Sequence, residues 1–369
     1  MASFHRDYSL TGSDAQRAVA IGLANAEWYR PEIPRPQLKE LMRRRNGPAI
    51  RDTVAWFALL AATGYGGHLF WGGWGSVPFF ILYGVLYGSA SDSRWHESSH
   101  GTAFATGWMN DVVYQVASFM MMREPTIWRW SHPRHHTDTL IVGRDPEIVT
   151  TRPPNIFTVL VDLIGLIGVP KTLSKLVIHA SGRLEAAEKN FVPEDEWRKI
   201  CVEARILLAI HVGLFAVAFY LGSWLPVMYA GCFPTMYGAW LGHLFGLTQH
   251  AGLAENVLDH RLNSRTVYMN PVFRFLYWNM NYHVEHHMFP MVPYHALPRL
   301  HEMVRTDLPK PCGGMIEAYG EIITALIRQL KEPRWSVWRA LPDSARPYQP
   351  GPHSDAIPDP RGSALAPGR

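Results

Sequence analysis

The segment TVAWFALLAATGYGGHLFWGGWGSVPFFILYGVLYGSAS, residues 53–91, contains 39 consecutive residues without an Asp, Glu, Lys or Arg. One membrane-spanning helix needs only about 20 apolar residues, so the segment has room for two. Three glycines and Pro78 in its middle supply turn chemistry, and the tryptophans beside them are typical of a membrane interface. The segment therefore predicts a helical hairpin with spans at about 53–71 and 76–91.

A second charge-free segment covers residues 206–254, which is 49 positions long. Gly222, Ser223 and Pro226 interrupt it, so it predicts another hairpin with spans at about 206–222 and 226–249. Core helices of a soluble protein are the alternative, but uncharged stretches of this length rarely occur in soluble domains. The predicted fold is an all-α integral membrane protein with four transmembrane helices in two hairpins and a cytoplasmic helical cap.

Basic residues set the predicted orientation, because cytoplasmic loops carry an excess of Lys and Arg. Lys39, Arg51 and three arginines at 43–45 precede the first span, with Glu40 as the only acid among them. Both hairpin turns are uncharged, so both termini are expected in the cytoplasm. Each hairpin returns the chain to its starting side, which places residues 92–205 and 250–369 together on that side.

Composition excludes several classes of protein and suggests the domain boundaries. The formal charge of +4 over 369 residues is too small for a nucleic-acid-binding surface. Three cysteines without a CxxC pair cannot form a disulfide framework, a zinc ribbon or an iron–sulfur cluster.

We expect a cytoplasmic N-terminal arm (1–52), a membrane domain (53–305), a C-terminal cytoplasmic helical segment (306–341) and a disordered Pro-rich tail (342–369). The shorter apolar stretch 156–169 is typical of an interfacial helix.

Eight of the 18 histidines fall into three short clusters, all on the predicted cytoplasmic side. They are His96 and His100 in HESSH, His132, His135 and His136 in HPRHH, and His283, His286 and His287 in HVEHH. Residues spaced i, i+3 and i+4 share a helix face, so each cluster is predicted to present its imidazoles toward one point. Eight imidazoles exceed what one ion can hold, and a thiolate-free histidine site favours two iron ions performing redox chemistry.

The three clusters, spaced through two membrane hairpins, resemble the histidine boxes of the membrane fatty acid desaturase and hydroxylase superfamily. The resemblance covers roughly residues 50–305 and extends to the phrases HHTDTLIVGRDPE, TQHAGLAENVLDHR and NYHVEHHMFP. Within the superfamily, the sequence is most similar to bacterial members associated with rhizobitoxine and rhizopine metabolism. The resemblance implies a di-iron centre in the cytoplasmic cap that activates O2 with two electrons from an outside donor, in a bacterial inner membrane.

The resemblance also implies a ligand set. The eight clustered histidines are the expected ligands, and His250 in TQHAGL matches a ninth histidine of the family. Metal-bound imidazoles usually donate their second N–H to a nearby acceptor. The candidates for orienting the ligands in this way are Asp138, Asp145, Asp259, His260 and Asn281. His243 is expected to be a hydrogen-bonded core histidine. Glu97 and Glu285, inside the boxes, are expected to point away from the metals.

The expected reaction is removal of two hydrogens from adjacent carbons of an acyl chain, which makes a double bond. Hydroxylation of a hydrocarbon or of an amino-acid-derived substrate is an alternative, because the ligand set looks alike in both cases. No electron-transfer module is evident in the sequence, so a ferredoxin, rubredoxin or cytochrome b5-type donor with its reductase is the expected partner. Arg134, Arg144, Arg261 and Arg265 are candidates to receive an acidic donor.

Two other classes of protein compete with this interpretation. HESSH is also an HExxH motif, in which two histidines bind zinc and the glutamate is the general base of a metalloprotease. An intramembrane protease would leave HPRHH and HVEHH unexplained. A metal carrier would need ionisable groups within the spans, and only His68, His211 and His243 qualify.

Overall fold

A computed structural model describes residues 5–349 and 351, and this part of the chain is built from helices. Its only strand-like pairings are isolated bridges between Thr266 and Tyr282 and between Val267 and Cys312. In chain order, the α-helices among the described residues are α1 (Ser13–Ala20), α2 (Arg35–Leu41), α3 (Asn46–Leu69), α4 (Val77–Gly84), α5 (Ala90–Ser99), α6 (Gly107–Met120), α7 (Pro125–Thr137), α8 (Ile156–Asp162), α9 (Gly168–Ala180), α10 (Ala186–Lys189), α11 (Trp197–Tyr220), α12 (Leu225–Tyr229), α13 (Cys232–Gly238), α14 (Trp240–His250), α15 (His260–Asn263), α16 (Pro271–Leu276), α17 (His283–Met288), α18 (Leu297–Val304) and α19 (Met315–Lys331).

Short 3-10 and π segments connect or extend several of these helices. The 3-10 turns are Trp74–Ser76, Glu194–Glu196, Tyr294–Ala296 and Arg305–Asp307, and the π-helical segment is Val85–Ser89. The π segment joins α4 to α5, so the predicted second span continues without a break into the helix that carries the first histidine box. π segments of this kind occur frequently at functional sites.

The all-helical prediction is confirmed, whereas four membrane-spanning helices are not. Within residues 5–349, one helix is long and apolar enough to cross a membrane, Glu194–Tyr220, which combines a 3-10 turn with α11. The predicted fourth span is instead divided among α12, α13 and α14, and Gly231, with a positive φ, lies at the break between the first two of them. Helix α3 has 24 residues, but Arg51, Asp52 and several glycines make it less apolar.

Glycines allow the helices that carry the boxes to pack closely. A Cβ added to Gly238 of α13 would lie 2.0 Å from the carbonyl oxygen of Gly84, so the two backbones touch. At the same crossing, Ser89 donates a 2.6 Å hydrogen bond to the Gly238 carbonyl and accepts one of 2.7 Å from the Gly242 N–H. Small residues at a helix crossing are the usual means of close packing in membrane proteins. The crossing fixes α14, and with it His250, relative to α5.

Part of the tail predicted to be disordered has a defined place. Tyr348 packs against Trp338, with ring centroids 5.2 Å apart, and the Gln349 N–H donates to Asp259. The side chain of Arg261 donates to the carbonyl oxygens of Arg346 and Pro347. Position 350 and residues 352–369 of the predicted tail lie outside the described residues.

Candidate metal centre

The structure gathers the nine histidines predicted as ligands into two adjacent groups. The five-histidine group contains His96, His100, His132, His136 and His286, and the four-histidine group contains His135, His250, His283 and His287. Within each group, the candidate ligand nitrogens all lie within 4.8 Å of one another. That these residues bind metal remains a prediction.

The second and third boxes each contribute to both groups, which differs from the expectation that one cluster points at one place. In α7, His132 and His136 are one turn apart and join the five-histidine group, while His135 faces the four-histidine group. In α17, His283 and His287 join the four-histidine group, while His286 crosses to the other. The i, i+4 pairs therefore stay together, and the remaining histidine of each box links the two groups.

The spacing of the ring nitrogens suits a bound cation. In the five-histidine group, the Nε2 atom of His132 lies 3.1 Å from those of His100 and His136. The Nε2 atoms of His136 and His286 are 3.2 Å apart. In the four-histidine group, Nε2 of His283 lies 3.0 Å from those of His250 and His287. Two nitrogens bonded at right angles to one metal at about 2.1 Å are about 3.0 Å apart.

Burial keeps most of these imidazoles in the neutral form that binds metal. Burial, aided by the neighbouring histidines, lowers the pKa of His96, His132, His136, His283, His286 and His287 well below the ordinary value. It lowers the pKa of His100 to about 4 and that of His250 to about 3. Five neutral imidazoles in one group exceed the four ligands of an ordinary structural zinc site, and the donor set fits iron.

His135 is the exception, because a carboxylate faces its outer nitrogen. Burial alone would disfavour its charged form, but Asp145 overrides that effect and raises the pKa of His135 to about 9. The Nδ1 atom of His135 lies 2.9 Å and 3.0 Å from the two oxygens of Asp145. Asp145 also accepts the backbone N–H groups of Leu140 and Glu147, so its position is fixed. The carboxylate thus holds Nδ1 as a donor, and a metal bound at Nε2 would replace the second ring proton.

Asp145 is the only one of the predicted orienting groups that contacts an imidazole nitrogen. Asp138 pairs with Arg134 and Arg144, and Asp259 pairs with Arg261. His260 stacks on Trp28 with ring centroids 4.2 Å apart and lies 5.0 Å from the His287 ring. The side-chain amide of Asn281 donates to the carbonyl oxygen of Val267.

Three orienting contacts were missed from the sequence. Glu147 lies 3.1 Å from Nδ1 of His132 and also accepts the Ser131 hydroxyl. The Thr139 hydroxyl lies 3.1 Å from Nδ1 of His287, and the backbone carbonyl of Asn263 lies 2.7 Å from Nδ1 of His250. Glu147 follows Asp145 by two residues in the phrase GRDPE, and this was the available signal. A backbone carbonyl has no sequence signal.

The glutamates inside the boxes face away from the histidine groups, as expected. Glu97 accepts hydrogen bonds from the Thr102 hydroxyl at 2.6 Å and from the Tyr294 N–H at 3.0 Å. Glu285 accepts from the Thr266 hydroxyl and is paired with His301. In a zinc protease, the glutamate of HExxH must reach the metal-bound water. The position of Glu97 therefore gives the protease alternative no support.

Arginines near the boxes are tied into the fold. Arg94, fully buried, donates to the carbonyl oxygens of Leu276 and Phe275, and so connects α5 to the end of α16. Arg261 and Arg265 are buried in ion pairs with Asp259 and Glu321. The expectation that Arg261 and Arg265 receive an electron donor is therefore wrong, because neither side chain reaches the surface.

The comparison with known proteins agrees with this arrangement. The sequence pattern of the fatty acid desaturase family matches residues 73–319, well over half of the chain and including every histidine of the two groups. The chain belongs to the fatty acid desaturase family. It is an enzyme of the desaturase type, and its family is membrane-associated.

Two curated members of the family are similar to the chain. The Delta(12) fatty acid desaturase FAD2 of Calendula officinalis is 26% identical over 289 residues, which cover 68% of this chain and 72% of the plant enzyme. The Delta(5) fatty acid desaturase fat-4 of Caenorhabditis elegans is 23% identical over 261 residues, which cover 62% of this chain and 57% of the nematode enzyme.

Proposed function

We propose that this desaturase-family enzyme is a membrane-bound, O2-dependent di-iron oxidoreductase that introduces a double bond into a fatty acyl or similar lipid-soluble chain. The observation that carries the proposal is the convergence of nine histidines, six of them buried and three partly buried, into two groups with metal-like spacing. Two irons held there would supply activation of O2 and oxidation of an unactivated C–H bond. The five-histidine group would hold one ion and the four-histidine group the other.

Residues around the two groups orient the imidazoles for metal binding. Asp145, Glu147, Thr139 and the carbonyl of Asn263 hold the outer nitrogens of four histidines. Such contacts fix which nitrogen carries the proton and how the ring is turned. The buried Trp95, whose ring centroid lies 5.6 Å from that of His132, packs against Trp128 beside the five-histidine group.

The reaction requires electrons from outside the chain. Removing two hydrogens from the substrate and reducing O2 to two waters consumes two electrons and two protons. We propose that a ferredoxin, rubredoxin or cytochrome b5-type donor, with its reductase, docks on a cytoplasmic face shared by both termini, with the protein in a bacterial inner membrane. The exposed arginines 43–45 precede α3 on the side proposed to be cytoplasmic.

Metal content and product mass test the proposal together. Protein purified in detergent should contain about two irons per chain, as a two-metal site requires. With a reduced donor, O2 and an acyl substrate, the product should be lighter by two hydrogens. A product heavier by one oxygen would reassign the enzyme as a hydroxylase. A single zinc per chain would contradict the proposal.

A further inference from the structure

A cavity of about 350 Å³ adjoins both histidine groups. His96 and His132 of the five-histidine group and His135, His250 and His283 of the four-histidine group form one end of it. Its other walls come from α5, α7, α8 and α14. At about 30 Å³ for each water-sized group, the cavity holds roughly a dozen non-hydrogen atoms of a substrate.

One face of α14 runs along the cavity and carries an imidazole that the metal centre does not use. His243, Gly246 and His250 all line the cavity on this face. The His243 ring makes no hydrogen bond to any residue that the structure describes, so it is not the hydrogen-bonded core histidine expected from the sequence. It precedes His250 by seven residues, which on a helix is about 10 Å.

The charged groups near His243 leave one carboxylate uncompensated. Asp92 lines the cavity one turn before His96 and is paired with Arg123 at 2.9 Å, so their charges cancel. Asp162 of α8 also lines the cavity and accepts the Gly168 N–H at 2.6 Å, but it has no cationic partner among the described residues. A neutral imidazole beside a carboxylate favours hydrogen-bond donors and cations over an anion.

We propose that the cavity binds an amphipathic substrate whose head is a hydroxyl or ammonium group held by His243 and Asp162, not a free carboxylate. The chain of the substrate then follows α14 past Gly246 to the histidine groups. An extended chain advances roughly 1.3 Å per bond, so the oxidised carbon lies about eight bonds from the head. This inference names the substrate class of the proposed function and rests on it.

Gly246 sets the width of the path between the head-group site and the histidines. A Cβ added to Gly246 would meet nothing within 4 Å, and the residue lies in α14 without a positive φ. A leucine at this position can therefore be accommodated by the backbone while its side chain fills the cavity. Gly246 is thus a position that determines which substrates fit.

Bromine quenching of tryptophan fluorescence tests this proposal without metal or turnover, with the protein in lipid nanodiscs. The probes are 8-bromooctylammonium, 8-bromooctanol and 8-bromooctanoate, which differ only in the head group. If the head binds at His243, the bromine reaches the histidine end of the cavity beside Trp95 and Trp128. We expect saturable quenching by the amine and the alcohol, at least about tenfold weaker quenching by the carboxylate, and a smaller saturable part in Trp128→Phe, in which Trp95 remains to be quenched.

Variants separate cavity binding from partition into the bilayer. His243→Leu should weaken the amine and the alcohol about tenfold, and Asp162→Asn, which retains the bond to Gly168, should weaken mainly the amine. Gly246→Leu should abolish saturable quenching. His68→Leu, an exposed histidine of α3, is the matched control and should change nothing.

Two results would overturn the head-group proposal. One is carboxylate binding as tight as that of the amine, and the other is quenching unchanged by His243→Leu and Gly246→Leu. Neither result would contradict the di-iron proposal, which is tested by the iron content and the product mass. Conversely, a failure of the di-iron proposal would show in those two measurements and not in probe binding.

Discussion

The four-histidine and five-histidine groups differ in how the protein holds their outer nitrogens. In the four-histidine group, Nδ1 has a partner in three residues: His135 with Asp145, His250 with the Asn263 carbonyl, and His287 with Thr139. In the five-histidine group, His132 has Glu147, whereas the buried Nδ1 atoms of His96, His136 and His286 have no partner among the described residues. One group is oriented by hydrogen bonds and the other mainly by packing.

The hydrogen bonds in the four-histidine group also determine which nitrogen is free to bind metal. The Asn263 carbonyl can only accept, so Nδ1 of His250 must carry the proton. The Thr139 hydroxyl donates to the His135 carbonyl at 2.7 Å, so it must accept from Nδ1 of His287. Both rings then present a lone pair at Nε2 before any metal arrives. We therefore expect the four-histidine site to bind iron more tightly than the five-histidine site.

Removal of one ligand from each group gives the largest expected effect. His286→Ala and His283→Ala should both reduce turnover below detection, because each removes one histidine ligand from one of the two irons. Both proteins should still insert into the membrane, since neither residue lies in an apolar helix. His286→Ala should retain about one iron per chain in the intact, tighter site, and His283→Ala should retain less. Equal iron contents, measured by elemental analysis, would contradict the proposed difference between the groups.

The two carboxylates that face imidazoles allow a direct comparison of the groups. Asp145→Asn should lower iron affinity by about 10–100-fold, because it removes the buried charge that holds His135. Glu147→Gln should have a smaller effect, about tenfold or less, because Glu147 is partly exposed whereas Asp145 is fully buried. Chelator titration of the reconstituted proteins measures both affinities. An equal or reversed order would show that the carboxylates do not act through the histidines.

A hydroxyl is the weakest of the orienting contacts. Thr139→Val keeps the shape of the side chain but removes the acceptor for Nδ1 of His287. The lost hydrogen bond is worth about 1 kcal/mol, so iron affinity should fall several-fold, less than in Asp145→Asn. Thr139→Ser, which keeps the hydroxyl, is the control and should retain most of the affinity. A loss in the serine variant as large as in the valine variant would assign the effect to packing.

The sequence predicted which histidines come together better than it predicted which residues contact them, and the reason is physical. Histidines at i, i+3 and i+4 have a recognisable spacing, and the structure brings His96 and His283 together although 187 residues separate them. The supports are single residues without a repeating pattern, so only Asp145 of the five orienting candidates contacts a ligand nitrogen. The predicted fourth span is interrupted at a local backbone feature, the positive φ of Gly231, which hydropathy does not register.

The smallest expected effect concerns a contact that supports both groups alike. His179 of α9 donates from Nδ1 to Glu124 at 2.6 Å and from Nε2 to Glu188 at 2.9 Å. Glu124 directly precedes α7, the helix that carries predicted ligands of both groups. Burial opposes the charged ring, but Glu124 and Glu188 raise the pKa of His179 to about 9. Burial likewise opposes the charged form of Glu188, but His179 and Lys175 lower the pKa of Glu188 to about 2.

The pH dependence of this contact follows from the two pKa values. The folded pKa of His179 lies above the ordinary 6.5, so its contribution to stability is complete below pH 6.5 and is lost as the pH rises through about 9. The lowered pKa of Glu188 makes its contribution complete above pH 4.5 and lost as the pH falls toward 2. Thermal unfolding of His179→Gln should therefore differ most from the wild type between these limits, by a few degrees, and should converge with it above pH 9. Because α7 serves both groups, the variant should lose iron from both in parallel, and a loss confined to one group would show that His179 does not act through α7.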